Sequence, residues 1–104
     1  MSLFSFMGKP DINQGVRECR ATPGAVLLDV READEYAEGH IPGSRNLPLS
    51  LLEAGTGDLD ADAPLYVYCL SGGRSSRATA ALRAKGFNAK NIGGISAWKG
   101  EIEK

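Results

Sequence analysis

Two short apolar runs restrict the fold more than any other feature of the chain: Ala25-Val26-Leu27-Leu28-Asp29-Val30 and Leu65-Tyr66-Val67-Tyr68. Each is continuous rather than alternating and is shorter than an ordinary helix, and the first carries the polar Asp29 near its end. Such runs suit strands covered on both faces, as the strands of a parallel sheet are. Helix-like segments alternate with them. Asp11 is placed to cap a first helix, with Gln14 three residues on as a variant capping box, and Ile12, Val16 and Cys19 fall on one face. Pro23-Gly24 breaks that helix before the first strand.

Ala33 to Glu38 follows as a short helix, with Asp34 and Glu35 in its first turn and Gly39 past its end. His40-Ile41-Pro42-Gly43 turns the chain, and Arg45-Asn46-Leu47 suits a brief strand. Ser50 to Glu53 matches the capping-box spacing and predicts another short helix. Gly55, Gly57 and Asp58 to Asp62 read as an exposed loop. After the second apolar run, Ser76 to Lys85 predicts a helix whose inner face carries Ala78, Ala81 and Leu82, and Gly86 ends it. Asn91-Ile92 suits one more strand, and Gly93-Gly94 turns into a final helix capped by Ser96, with Trp98 near its start. The alternation predicts an α/β fold, a mostly parallel sheet with helices on both faces. Ligands of such sheets bind at the carboxyl ends of strands, where Asp29 and Cys69 lie.

Composition limits the functional classes. The 104 residues suit one compact domain, and a net charge of −1 gives no whole-protein footprint for nucleic acid or membrane. The charge is uneven: residues 1–69 hold 5 basic and 11 acidic side chains, residues 70–104 hold 7 and 2. The basic part follows Cys69 and would draw small anions toward it. Two cysteines fifty positions apart make no disulfide framework, so a reducing compartment and a cytoplasmic location are expected. Met1 to Met7 is apolar but short, lacks a basic leader, and meets neither the signal-peptide nor the membrane-span pattern. Metal-ligand spacing is lacking, and neither a metal nor an organic cofactor is expected.

The chemistry concentrates in Cys69-Leu70-Ser71-Gly72-Gly73-Arg74-Ser75. A thiol stands where a strand ends, two glycines let the backbone curl, and a helix begins. A helix N-terminus lowers a thiol's pKa and gathers N–H groups around an anion. N–H groups from Leu70 through Ser75 can point at one centre, Arg74 adds positive charge with Arg77 as a second candidate, and Ser71 and Ser75 offer hydroxyls. A pre-formed thiolate needs no separate general base, and the strand's end gives it access. Elsewhere the residues read structurally: Cys19 as a buried thiol, His40 as turn packing, Trp98 as core or sheet cover. Asp29 is placed to cap the turn after its strand, and Arg31 to pair with Glu35.

Read with its neighbours, the loop resembles that of the rhodanese-like domain, in its single-domain form. The matching segments are Asp29-Val30-Arg31 with Glu35 to Ser44 and Asn46-Leu47-Pro48, then Tyr68 to Ser75, then Gly93-Gly94-Ile95-Ser96-Ala97-Trp98. The resemblance implies a rhodanese-like domain over residues 11–104, leaving Met1 to Pro10 as a lead-in segment. The resemblance implies a parallel sheet of about five strands, and sulfur transfer by way of a Cys69 persulfide cradled by the N–H groups of Leu70 to Arg74. It implies a small sulfur donor, thiosulfate or a persulfide, and a thiol acceptor such as glutathione or a thioredoxin-like protein, with cyanide serving in assays. Leu70, directly after the thiol, is apolar and leaves the donor open. Asp29 and Arg31 are candidate supporting residues. Related cell-cycle phosphatases carry a loop one residue longer, so the four residues between Cys69 and Arg74 favour sulfur over phosphate. A non-enzymatic sulfur-relay or protein-binding module is the alternative.

Overall fold

The computed structural model describes residues 10–104; apart from Pro10, the lead-in segment lies outside them. Four parallel strands form one sheet in the order β2-β1-β3-β4. They are β1 (Val26–Asp29), β2 (Arg45–Asn46), β3 (Leu65–Cys69) and β4 (Ala89–Gly94). The helices are α1 (Ile12–Ala21), α2 (Ala33–Glu38), α3 (Leu49–Leu52) and α4 (Gly73–Ala84), with a single 3-10 turn over Ile95–Ala97. The α/β class and the parallel sheet are as expected, with four strands among the described residues rather than about five.

Alternation along β1 and β3 divides the core into two layers. Leu28, Val30, Leu65, Val67 and Cys69 face α3 and α4, where they meet Leu52, Ala78 and Leu82. Leu27, Tyr66 and Tyr68 face α1 and pack on Ile12, Val16, Cys19 and Ile92. Cys19 is therefore a packing residue, and burial pushes its thiol up. The two core strands are apolar but for the buried Asp29 at the end of β1, as suits strands that helices cover on both sides.

Local signals succeed where the partner is near in sequence. The Asp11 carboxylate accepts from the Asn13 N–H at 2.9 Å and caps α1. Ser50 does not cap α3, which begins one residue earlier with Pro48 at its N-cap position. A Pro-initiated turn is already set in φ, so the serine hydroxyl is not needed. The final helix shrinks to the 3-10 turn, because the chain leaves helical geometry at Trp98. There the Trp98 indole N–H donates to the Glu101 carbonyl, and the ring packs on the α1-side core. A bulge separates Val67 from Tyr68 along the β3–β4 ladder, so Tyr68 pairs with Gly93 and Cys69 with Gly94. Bulges re-aim the chain beside functional sites, and this one brings the end of β4 against the cysteine loop.

Candidate active site

Cys69 is the last residue of β3, central in the sheet, and is only 1% exposed. The open access expected at the strand's end is therefore not present in this geometry, where the residue is buried. The chain rises from Cys69 and re-enters a helix at Gly73, three residues earlier than the apolar periodicity alone predicts. That early start is what makes the cradle. Gly72 sits at the N-cap with φ of 104°, a left-handed conformation that favours glycine. Gly73 has ordinary helical geometry, so only one of the two glycines supplies the curl.

Two N–H groups reach the sulfur: Gly72 at 3.1 Å and Ser75 at 3.3 Å. Burial pushes the Cys69 thiol up, but the Ser75 hydroxyl and the N–H groups of Ser75, Gly72 and Ser71 outweigh it and hold the pKa below its ordinary value. The Ser75 hydroxyl has one proton, which here goes to Asn91 Oδ1 at 2.7 Å, so in this geometry the donors on the sulfur are the N–H groups and the hydroxyl serves the thiolate only when turned from Asn91. The N–H of Ser76 finds the Gly72 carbonyl at 3.0 Å and opens the intrahelical pattern. The N–H groups of Gly73 and Arg74 precede it, in the turn where helix donors are left over.

The loop is held from β4. Asn91 accepts from Ser75 Oγ and from the Gly93 N–H at 3.1 Å, and its amide donates to the Gly72 carbonyl at 3.4 Å. The Ser96 N–H donates to the Leu70 carbonyl at 3.0 Å. Gly94 passes so close that a Cβ there would stand 2.2 Å from the Leu70 carbonyl oxygen and 2.5 Å from Ser71 Cα.

Arg74 does not point its guanidinium at open solvent or at an empty site. It is bound bidentately by Glu35 of α2, at 2.6 and 2.9 Å. That ion pair, with the Glu32 N–H donated to the same carboxylate, pulls the Glu35 carboxyl down to about 2. Arg77, the other cation suggested for the loop, pairs instead with Glu53 on the surface. Glu35 and Asn91 are the residues that sequence reasoning missed. Sequence spacing pairs Glu35 with Arg31, a cation four residues away, and marks Asn91 only as part of a strand.

Arg31 takes a different partner. Asp29 is fully buried, and Arg31 binds it at 2.7 Å while donating to the Gly39 carbonyl, also at 2.7 Å. The Asp29 carboxylate also accepts the Arg31 N–H, capping the turn as expected. By strand alternation Asp29 faces the Tyr68 side of the sheet, opposite to Cys69. The pair braces the turn from Gly39 onward rather than touching the sulfur. His40 belongs to that brace: it stacks on Tyr36 with ring centroids 3.7 Å apart, and its Nδ1–H donates to the Tyr36 carbonyl at 2.8 Å. Among the described residues no cluster of His, Cys, Asp and Glu could hold a metal, and no helix is long and apolar enough to cross a membrane.

An all-parallel sheet with a hydrogen-bonded cysteine at the end of its central strand defines a class, and comparison with known proteins gives its family. The Rhodanese-like domain model matches residues 13–101, and the chain belongs to that family. The thiosulfate sulfurtransferase GlpE of Ectopseudomonas mendocina is 39% identical over 88 residues, covering 83% of this chain and 80% of that protein. The putative sulfur carrier protein YrkF of Bacillus subtilis is 31% identical over 99% of this chain. The chain spans 52% of YrkF, and 64% of the uncharacterized protein YqhL of the same organism, to which it is 43% identical over 76% of its own length. Among solved structures, a rhodanese-like domain protein from Staphylococcus aureus superposes with a TM-score of 0.79 at 26% identity, covering 90% of this chain and 94% of that one. The human single-domain sulfurtransferase TSTD1 gives 0.73 at 30% identity, covering 88% and 96%.

Proposed function

We propose that this chain is a sulfurtransferase that carries sulfane sulfur on Cys69. The observation that carries the reading is the convergence of the Gly72 and Ser75 N–H groups on the Cys69 sulfur. A depressed thiol pKa supplies the nucleophile, and a cradle of N–H donors stabilises the anion before and after transfer. In the first step the Cys69 thiolate attacks the outer sulfur of a donor, thiosulfate or a persulfide. A new S–S bond forms, the donor's S–S bond breaks, and its electron pair leaves on sulfite or on a thiolate. The outer sulfur of the Cys69 persulfide comes to rest toward the N–H groups of Gly73 and Arg74. In the second step an acceptor thiolate, such as that of glutathione or a thioredoxin-like protein, attacks that outer sulfur. The acceptor persulfide forms and the Cys69 thiolate is restored; cyanide in the same step gives thiocyanate.

Leu70, Ser71, Gly72, Gly73, Arg74 and Ser75 act as the binding loop in this reading. Asp29 and Arg31 support it by bracing the turn beyond β1. Similarity to a relative named a putative sulfur carrier favours a second reading, a relay module that passes sulfur between proteins without appreciable turnover of small donors. A Cys-based phosphatase is disfavoured, because the loop is short and Arg74 is already bound to Glu35. Incubation with a sulfane donor, followed by intact mass spectrometry, tests the proposal. Wild type should gain the mass of one sulfur atom and Cys69→Ser should not; a wild type that takes no sulfur from any donor would sink it.

A further inference from the structure

A cavity of about 310 Å³ lies against α1, and three exposed cations line it: Arg17, Arg20 and Lys99. Val16 and Trp98 give it an apolar floor. Among the described residues the salt bridges of arginine and lysine use Arg31, Arg45, Arg74, Arg77 and Lys90 instead. Residues 1–9 hold no Asp or Glu that could pair with the three. The neighbouring acids on α1 are committed elsewhere: Asp11 accepts from the Asn13 N–H at 2.9 Å, and Glu18 binds Lys90 at 2.8 Å. Arg20 is held in place, its guanidinium 5.8 Å from the Trp98 ring centroid and donating to the Pro42 carbonyl at 3.2 Å. Three positive charges without carboxylate partners thus surround one concave, partly apolar surface.

This surface neighbours the cysteine loop. The Ser96 N–H holds the Leu70 carbonyl, while Asn13 donates to the Ala97 carbonyl at 3.0 Å and accepts the Lys99 N–H at 2.9 Å. Ala97 also lines a cavity of about 550 Å³ beside Ser71, Gly72 and Gly73. Three residue steps part Ser96 from Lys99, at most about 11 Å. One partner's share of an ordinary protein interface, about 800 Å², is about 30 Å across and covers both places. Arg17 and Arg20 lie beyond the first turn of α1, where N–H groups are used within the helix, so side-chain charge alone meets an anion there. Exposed ion pairs are weak singly, so several carboxylates held together fit this surface better than one small anion. A long polyphosphate would run past three cations onto a chain of net charge −1. Resting on the sulfurtransferase reading, we propose that the cavity docks an acidic segment of a protein sulfur acceptor, which lays carboxylates on Arg17, Arg20 and Lys99 while its cysteine meets the Cys69 loop. The acceptor's thiolate attacks the outer sulfur of the Cys69 persulfide. A new S–S bond forms on the acceptor, the old one breaks, and its electron pair stays on Cys69 as the thiolate.

Single-turnover discharge of persulfidated Cys69 tests this with two acceptor peptides. Each carries one cysteine and a spacer of about five residues, long enough to span about 17 Å, before a triglutamate or a triglutamine end. Each rate is divided by that peptide's rate toward a small alkyl persulfide in solution. The glutamate peptide should be about tenfold faster than the glutamine peptide at an ionic strength of about 0.01 M, and about twofold faster at about 0.15 M. Arg17→Gln and Lys99→Gln together should bring the low-salt ratio down to about two- to threefold. A wild-type ratio near unity, or a double variant that keeps the wild-type ratio, overturns the proposal while leaving sulfur transfer intact. So does citrate that removes the advantage at a concentration too low to change ionic strength, which makes the cavity a small-anion site. A single-stranded oligonucleotide that competes better than a peptide of equal charge overturns it as well. Fluorescence anisotropy of the labelled glutamate peptide on Cys69→Ser reads docking without the chemistry. Binding there that needs Arg17 and Lys99 supports the docking surface even where no donor loads Cys69, a failure that falls on the sulfur-transfer reading alone.

Discussion

Replacing Gly94 by alanine should disarm the thiol without touching it. The added Cβ would lie 2.2 Å from the Leu70 carbonyl oxygen, 2.6 Å from its carbon and 2.5 Å from Ser71 Cα. All three are backbone atoms, so no side chain can swing aside. Ordinary contact needs about 3.5 Å, and the loop must retreat by roughly 1 Å, a shift that overpacking data put at about 1–3 kcal/mol. The retreat carries Leu70 and Ser71 away from β4 and stretches the Ser96 bond to Leu70. It also displaces the Gly72 N–H, now 3.1 Å from the sulfur. A hydrogen bond to a charged group contributes about 1.5–3 kcal/mol, so losing one raises the thiol pKa by about 1–2 units. The assay is the pH dependence of Cys69 alkylation in a Cys19→Ala background, read by peptide mass. Gly94→Ala should shift the midpoint upward by at least about 1 unit and lower the Tm by several degrees. Gly73→Ala is the control: nothing lies within 4 Å of its Cβ and its φ is ordinary, so the midpoint should hold. Stability there should rise by about 0.4–1 kcal/mol. A Gly94→Ala protein with the wild-type alkylation midpoint would refute the claim that β4 sets the loop.

Three further outcomes follow from the same geometry. Arg31→Met strands the buried Asp29 carboxylate and should cost about 3–5 kcal/mol in urea denaturation, with much of that recovered in the Asp29→Leu, Arg31→Met double variant. Asn91→Ala removes the bonds to Ser75, Gly93 and the Gly72 carbonyl, and should cost about 1–3 kcal/mol and slow Cys69 alkylation at neutral pH. Glu35 has a depressed pKa, so its pair with Arg74 stabilises the fold fully above pH 4.5, and the contribution fades as pH falls toward about 2. With the two side chains 29% and 35% exposed, solvent screening limits it to about 1 kcal/mol. Wild type should exceed Glu35→Gln by that amount at pH 7, and the two urea curves should converge near pH 2.

Much of the site is written in contiguous residues. The strand over Leu65 to Tyr68 and the thiol at its end follow one another, and a local reading places them correctly; that Gly72 alone is left-handed and the helix begins at Gly73 is seen only in the structure. The caps at Asp11 and Asp29 are equally local. What escapes such a reading is the set of partners brought in by strand order. Glu35 reaches Arg74 across 39 residues because β1 and β3 are neighbours and α2 follows β1. Arg31, four residues from Glu35, meets the buried Asp29 instead, since a charge with no access to water competes harder for a cation than one near the surface. Asn91 becomes a bracket for the loop because β4 pairs with β3, which sets Asn91 opposite Val67 and within reach of Ser75 and Gly72, and the bulge after it then sets Gly94 opposite Cys69. No spacing in the sequence announces a bulge.

The most direct measurement follows a labelled outer sulfur from donor to acceptor. The donor carries the isotope only on its sulfane sulfur, and protein and acceptor thiol are sampled by mass spectrometry within a single turnover. The account predicts that the label appears on Cys69 first, then on the acceptor as the protein loses it, and that Cys69→Ser passes none. Label reaching the acceptor at the wild-type rate in Cys69→Ser would contradict it.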